Sequence, residues 1–259
     1  MLKNIFKVKP LVDDNTRQWI FDTFSWAIEH FNIQVFQQET RLVLPTNDYY
    51  PGRVASVEEM AKNIFDHTLN YAGMKNWPFE LISPHQTISL ELPLLKVNNA
   101  LRGEKAEIAI ADEQQSIPLT FNPAQINQPQ DLIASYAQQL ATVLVLQQKV
   151  LPPGGKDLIP QAIDVLACVM GFGVIFANTA YQFKGGCGSC YNPKANRQAA
   201  LPEHEMLYCL AVFNHLKNID NKHVIPHLKS HLRGEYKKMK KEVSRFSPSQ
   251  PTLQILAVN

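Results

Sequence analysis

Asp131-Leu-Ile-Ala-Ser-Tyr-Ala-Gln-Gln-Leu-Ala-Thr-Val-Leu-Val-Leu-Gln-Gln148, then Leu151-Pro-Pro-Gly-Gly-Lys156, then Asp157 through Phe183, is the stretch on which the fold turns. In the first piece Ile133, Tyr136, Leu140 and Leu144 recur at three- and four-residue spacing, one face of a helix turned to a core. Two prolines and two glycines then interrupt it. The third piece opens a second helix, with Asp164 near its start and the apolar run Val165 to Ala177 after it, containing Gly171 and Gly173. That run has 13 residues, fewer than the roughly 18 of a membrane span, and reads as a buried core helix. Pro129 suits the first turn of the first helix, where its missing N–H has no helical partner to lose.

Upstream, Asp13, Asp14, Asn15 and Thr16 are capping side chains ahead of Trp19, Ile20, Phe24, Ala27, Ile28 and Phe31, a helical spacing with an aromatic face. Ser56 followed by Glu58 and Glu59 starts a second amphipathic helix through Met60, Ile64, Phe65 and Leu69, ending near Gly73. From Phe79 to Phe121 the pattern changes to short alternating runs at 87–92, 106–111 and 116–121, read as a small, mostly antiparallel sheet. Downstream, helices are expected from about Pro202 to Lys217 and from about His223 to Phe246. The second carries Ile225, Leu228, Leu232, Tyr236, Met239 and Val243 as its stripe. The fold class is therefore α+β and mainly helical. One domain is expected over 1–246: N-terminal helices at 14–73, the sheet at 79–121, central helices at 129–183 and C-terminal helices at 202–246. Residues 247–259 read as a tail.

Composition narrows the function. The chain has 259 residues, 45% of them hydrophobic, enough for a substantial core. A formal charge of +2 gives no whole-chain case for nucleic acid or an anionic membrane. Three lysines are spread through the first ten residues with no apolar segment of signal-peptide length, so no secretion signal is read. A cytoplasmic protein without a membrane partner is expected, its four cysteines reduced or metal-bound rather than paired.

The central helix has the spacing of a zinc site without its chemistry. A zinc hydrolase needs two histidines at i and i+4, both leaving one helix face, and a glutamate between them as general base. Those positions here hold Gln138, Gln139 and Thr142. A neutral amide or hydroxyl is a poor zinc ligand, and a glutamine cannot take up a proton near neutral pH. On the next helix Asp164 remains, in Ile159-Pro-Gln-Ala-Ile-Asp164. It either binds a metal weakly or accepts hydrogen bonds inside the core, the commoner state of a buried carboxylate.

Ala137-Gln-Gln-Leu-Ala-Thr142, Pro152-Pro-Gly-Gly155, Asp164-Val-Leu-Ala and Gly171-Phe-Gly-Val, taken in that register, resemble a bacterial family of the zincin, zinc metallopeptidase-like type. There an Ala-His-Glu-Leu-Ala-His-like segment precedes a Pro-Pro-Gly-Gly loop and a helix reading roughly Thr-Asp-Leu to Gly-Phe-Gly. Leu42-Val-Leu-Pro-Thr-Asn47, Tyr71-Ala-Gly-Met74 and Leu201 to Phe213 extend the likeness. The resemblance implies a zincin-like core with a degenerate active-site pocket, in which Gln138, Thr142 and Asp164 face one another and Gln139 stands at the base position. No catalytic residue is expected. The implied role is binding, to another protein, with the cavity where substrate would sit in an active relative surviving as the binding surface.

Two further features open alternatives. Cys187-Gly-Ser-Cys190 puts two thiols on a tight turn, and His204 and Cys209 would complete C-x2-C-x13-H-x4-C, near known zinc spacings. Zinc, thiol redox chemistry and a plain structural turn all remain open for it, and a hydrolase using a relocated metal would start here. Residues 222–245 hold eight Lys/Arg against two Glu, a local +6 that leaves −4 on the rest of the chain. A nucleic-acid role would rest on that helix, but such a charge run is more often a solvated face, and no aromatics interleave it for base stacking.

Overall fold

Helices begin where short polar side chains put them. Asp13 Oδ1 accepts from the backbone N–H groups of Asn15 and Thr16 at 3.1 and 3.0 Å, capping α1 (Asp14–His30). Ser56 Oγ accepts from Glu59 N–H at 3.1 Å at the head of α2 (Val57–Ala72), and the Glu59 carboxylate reaches back to Ala55 N–H at 2.8 Å. Gly73, in the left-handed region, closes α2. Four strands follow: β1 (Phe79–Ile82), β2 (Leu95–Val97), β3 (Ile108–Ile110) and β4 (Ile117–Thr120). Five helices complete the order: α3 (Pro129–Gln147), α4 (Ile159–Ala167), α5 (Gly173–Thr179), α6 (Glu203–Leu216) and α7 (Leu232–Phe246). The computed structural model describes residues 10–82, 95–97, 100–110, 116–180 and 196–247. The architecture is α+β and mainly helical.

The sheet differs from expectation in its pairing. β1 lies parallel to β4, Phe79 opposite Ile117, while β2 and β3 form a separate antiparallel pair with Leu95 opposite Ile110. Parallel neighbours need a long crossover, which the chain between Ile82 and Ile117 supplies; alternation within a short run carries no sign of strand direction. Ile117 and Leu119 are buried, and Pro118 between them is tolerated because, among the described residues, β4 has a partner on one side only. The run expected at 87–92 lies outside the described residues.

α3 is the centre of the core, packed against α2, α4 and α5. Tyr136 shows how: fully buried, its ring meets that of Phe65 of α2 at 5.1 Å and its hydroxyl donates to Ala61 O at 3.2 Å. From Gly155 to Thr179 the helical run is 25 residues long, and its most apolar 18-residue window has mean hydropathy 2.0, enough by length and composition to cross a membrane, yet 78% of that window is buried inside the fold. The 13-residue apolar run understates it. The neighbours α1, α3 and α6 account for its apolarity.

This run is broken in the middle. Cys168–Phe172 winds as a π segment, and Gly171 sits at φ 103°. The break turns the Gly171 carbonyl out of the helix ladder to accept Val43 N–H at 2.9 Å, so the extended segment around Arg41 to Val43 is fastened against the kink. Single-turn π segments of this kind occur within α-helices and are frequent at functional sites.

α7 starts nine residues later than the apolar stripe suggests, at Leu232, after two 3-10 turns at Asn221–His223 and Ile225–His227. Pro226 removes a helical donor, and buried Asn178 takes the backbone that α7 would need. Its amide donates to His227 O at 2.9 Å and accepts from Lys229 N–H at 3.0 Å. The remaining stripe of Leu232, Tyr236, Met239 and Val243 is fully buried as expected.

Two lysines are drawn into this frame. Lys217 Nζ donates to Phe36 O and Gln37 O at 2.7 and 2.9 Å, and Lys240 Nζ donates to Ile219 O at 3.2 Å. Burial lowers both to about 8, helped at Lys217 by the charge of Arg102 and opposed at Lys240 by Asp220. The folded chain then releases protons near pH 8 that an unfolded lysine holds to about 10.4. Fewer protons bound in the folded state means that stability rises with pH across that window. Relative to a Lys217→Met/Lys240→Met variant, the wild type is expected to gain urea stability between about pH 7 and 10. A difference that stays flat over that range would show ordinary lysines.

Candidate functional site

The site is where α3, α4 and α5 meet the segment at 196–201. α4 presents Asp164 inward, fully buried, and the segment brings Arg197 to it, 2% exposed. Arg197 Nη1 stands 2.7 Å from Asp164 Oδ1. The other carboxylate oxygen, Oδ2, accepts from the backbone N–H groups of Ala200 and Leu201 at 2.9 and 3.0 Å. Both Asp164 oxygens are thus engaged by one segment of chain.

Arg197 is gripped from several sides. Its Nε donates to Thr179 Oγ1 of α5 at 3.3 Å, its guanidinium carbon lies 4.1 Å from the centre of the Phe176 ring, and its backbone N–H donates to Asp131 Oδ1 of α3 at 3.0 Å. Nη2 is buried without a hydrogen-bond partner among the described residues, a cost the ion pair must cover. Burial raises the Asp164 carboxyl's pKa, against the guanidinium and the two N–H donors, and lowers that of Arg197, against the carboxylate. Burial raises Asp131 in the same way.

The three α3 positions of interest are each tied to a carbonyl. Gln138 Nε2 donates to Gln198 O at 3.1 Å, so Gln138 and Asp164 reach the same segment from two helices. Thr142 Oγ1 donates back to Gln138 O at 2.8 Å along its own helix. Gln139 faces elsewhere: its amide donates to Thr120 O of β4 at 3.1 Å and to Ser135 O at 3.3 Å, pinning the parallel strand pair to α3. Gln138 and Thr142 are half-exposed while Asp164 is fully covered, and the chain from Gln198 to Leu201 is held by Gln138 on one side and Asp164 on the other.

These residues do not fit a zinc ion. Two amides and a hydroxyl are weak ligands, their donors are already placed, and the guanidinium sets a positive charge against the one carboxylate of the expected set. As a proton-transfer site the group is equally unsuited, since neither glutamine nor threonine ionises near neutral pH. What the arrangement does well is join three helices and a loop through one ion pair.

Of the expected metal ligands, Cys187 and Cys190 lie outside the described residues. His204 and Cys209 are not brought together. Five positions apart on α6, they leave the helix about 140° from each other; the His204 side chain is half-exposed beside Glu205, and Cys209 is fully buried near Cys168. Among the described residues no group of three or more His, Cys, Asp or Glu side chains could hold a metal. On α7, Lys237, Lys238 and Lys241 are exposed, while Arg233 donates to Leu228 O and Pro226 O and Lys240 is bound as above. Arg197 is the site residue that sequence reasoning missed. Its one signal was an aspartate in an apolar helix with no cation near it in the sequence.

Compared with protein-family models, curated proteins and solved structures, the chain matches none.

Proposed function

We propose that this protein has a zincin-like core that has lost its catalytic metal site and acts by binding, to another protein. The observation that carries the first half is the Asp164–Arg197 pair: the acid left on the second helix is neutralised by a guanidinium from the chain itself, and the side chains at the three motif positions hold carbonyls. A cation supplied by the fold stands where a metal would need ligands. The second half draws on the surface where α3 ends. Leu146, Val150 and Leu151 are 60%, 48% and 48% exposed, and their loop is held rigid by two indoles, Trp26 Nε1 donating to Val150 O at 3.2 Å and Trp19 Nε1 to Pro153 O at 2.9 Å. A rigid apolar prominence of this kind suits a protein partner better than solvent.

Metal analysis of the purified protein and a casein-hydrolysis assay test the reading. No hydrolysis above background is expected, nor any zinc that depends on Gln138. Zinc held by Cys187 and Cys190 would leave on substituting both by Ser. Stoichiometric zinc that survives that double substitution and disappears in Gln138→Ala would overturn the proposal. Gln138→His alone is expected to restore nothing, because a catalytic zinc site takes three protein ligands and a separate base. On the binding side, Leu146→Asp with Leu151→Asp is expected to abolish co-purification of a partner at an unchanged unfolding midpoint. A partner retained by that variant would place the interface elsewhere.

A further inference from the structure

A concavity of about 550 Å³ lies between the end of α2 and the segment leading into the helix-kink contact, with Glu39, Arg41, Tyr71, Lys75 and Glu104 on its walls. Its volume is in the range of small-molecule sites, about 300–1,000 Å³. Its construction is independent of the Asp164 site.

The floor is fixed. Gly103 N–H donates to Gly73 O at 2.7 Å, and Glu39 Oε2 accepts from Glu104 N–H at 2.8 Å, which closes the 103–104 turn onto the end of α2 and the Val35–Glu39 helical turn. Beneath it Arg102 is buried, donating to Ala72 O and Thr40 Oγ1 at 3.1 and 2.9 Å. The side wall is fixed as well. The Arg41 guanidinium lies 4.7 Å from the centre of the Tyr71 ring and 5.7 Å from that of Tyr49, and Tyr71 Oη donates to Tyr49 O at 2.6 Å. The aromatic faces hold the guanidinium in place through cation–π attraction without neutralising it.

Charge completes the picture. Arg41 and Lys75 form no ion pair with any described carboxylate, and Glu39 and Glu104 form none with any described cation. Two positive and two negative side chains, all four exposed, therefore line one cleft, with Arg41, Lys75 and Glu104 outside any ion pair among the described residues and Glu39 held at one oxygen by Glu104 N–H over the charge of buried Arg102. A purely anionic ligand would meet the two carboxylates, and a purely cationic one the guanidinium and ammonium. We infer that the cleft binds a short peptide with both termini free, its carboxylate on Arg41 and Lys75 and its ammonium on Glu39 and Glu104.

Isothermal titration calorimetry of the full chain with trialanine tests this, with N-acetyl-trialanine, trialanine amide and inorganic phosphate as comparison ligands. Saturable binding of trialanine is expected, with either blocked form at least about tenfold weaker, since each loses a charge-assisted contact. Arg41→Gln and Glu104→Gln are each expected to weaken trialanine by about tenfold or more, with circular dichroism and unfolding midpoint unchanged. Three outcomes would overturn the assignment: no saturable heat up to about 10 mM, equal binding of free and blocked peptides, or phosphate binding as tightly as trialanine. Full affinity in an Arg41→Gln/Lys75→Gln variant would do so too.

Discussion

Asp164→Ala is expected to destabilise the protein by about 3–5 kcal/mol, because breaking a buried pair from one side strands the other charge. Arg197 would keep a fully covered guanidinium beside Thr179 and Phe176, with the more distant charge of Asp131 as partial compensation. The N–H groups of Ala200 and Leu201 would lose their acceptor in the same step, and each buried donor left unpaired adds about 1–3 kcal/mol to what must be recovered by water entering. Removing both charges is a different matter. Asp164→Leu with Arg197→Met keeps volume and removes the desolvation cost of both ions, so this double variant is expected to recover much of the loss. Urea unfolding of Asp164→Leu alone, Arg197→Met alone and the double variant closes a cycle, and a coupling above about 2 kcal/mol is the expected reading for residues in direct contact. Additive losses would mean that Arg197 does not sit on Asp164, and the observation on which the proposed function rests would go with it.

The same pair shows what a sequence can and cannot disclose. Capping is local, so Asp13, Ser56 and Gly73 were readable where they stand, and so was the α3 face of Ile133, Tyr136, Leu140 and Leu144, all buried. The α7 stripe was readable too, but not its start, because Asn178 lies on a different helix and competes for the backbone at 227–229. The parallel pairing of β1 with β4 depends on where a long connection returns the chain, which alternation does not encode. In sequence Asp164 reads as either a weak metal ligand or a carboxylate accepting hydrogen bonds in the core, and it accepts them from Arg197, Ala200 and Leu201. Its cation comes from 33 residues away, beyond any periodic pattern, and only packing brings the two together.

In sequence Gly171 reads only as part of the Gly171-Phe-Gly-Val motif in an apolar run, yet its replacement carries the second large effect. Gly171→Ala is expected to cost about 4 kcal/mol, from two sources that each run to about 1–3 kcal/mol: a backbone conformation strained for any L side chain, and overpacking. The conformation is φ 103°, and a Cβ built there falls 2.1 Å from the carbonyl oxygen of Arg41, which is backbone and cannot rotate away. Gly173, two positions on, is the control. Its φ of −57° suits alanine, and an added Cβ meets Cys168 Sγ at 2.8 Å and Leu210 Cδ1 at 2.9 Å, side-chain atoms that can shift, so Gly173→Ala is expected to cost about 1–2 kcal/mol. Relief of the Gly171 clash must move the segment fastened by the Val43 N–H to Gly171 O bond, and Arg41 moves with it off the Tyr71 ring. Gly171→Ala should therefore also weaken trialanine binding at temperatures where the variant remains folded, while Gly173→Ala leaves it unchanged. Equal urea midpoints for the two variants would mean that the helix is not broken at Gly171 and that the cleft wall is not anchored to it.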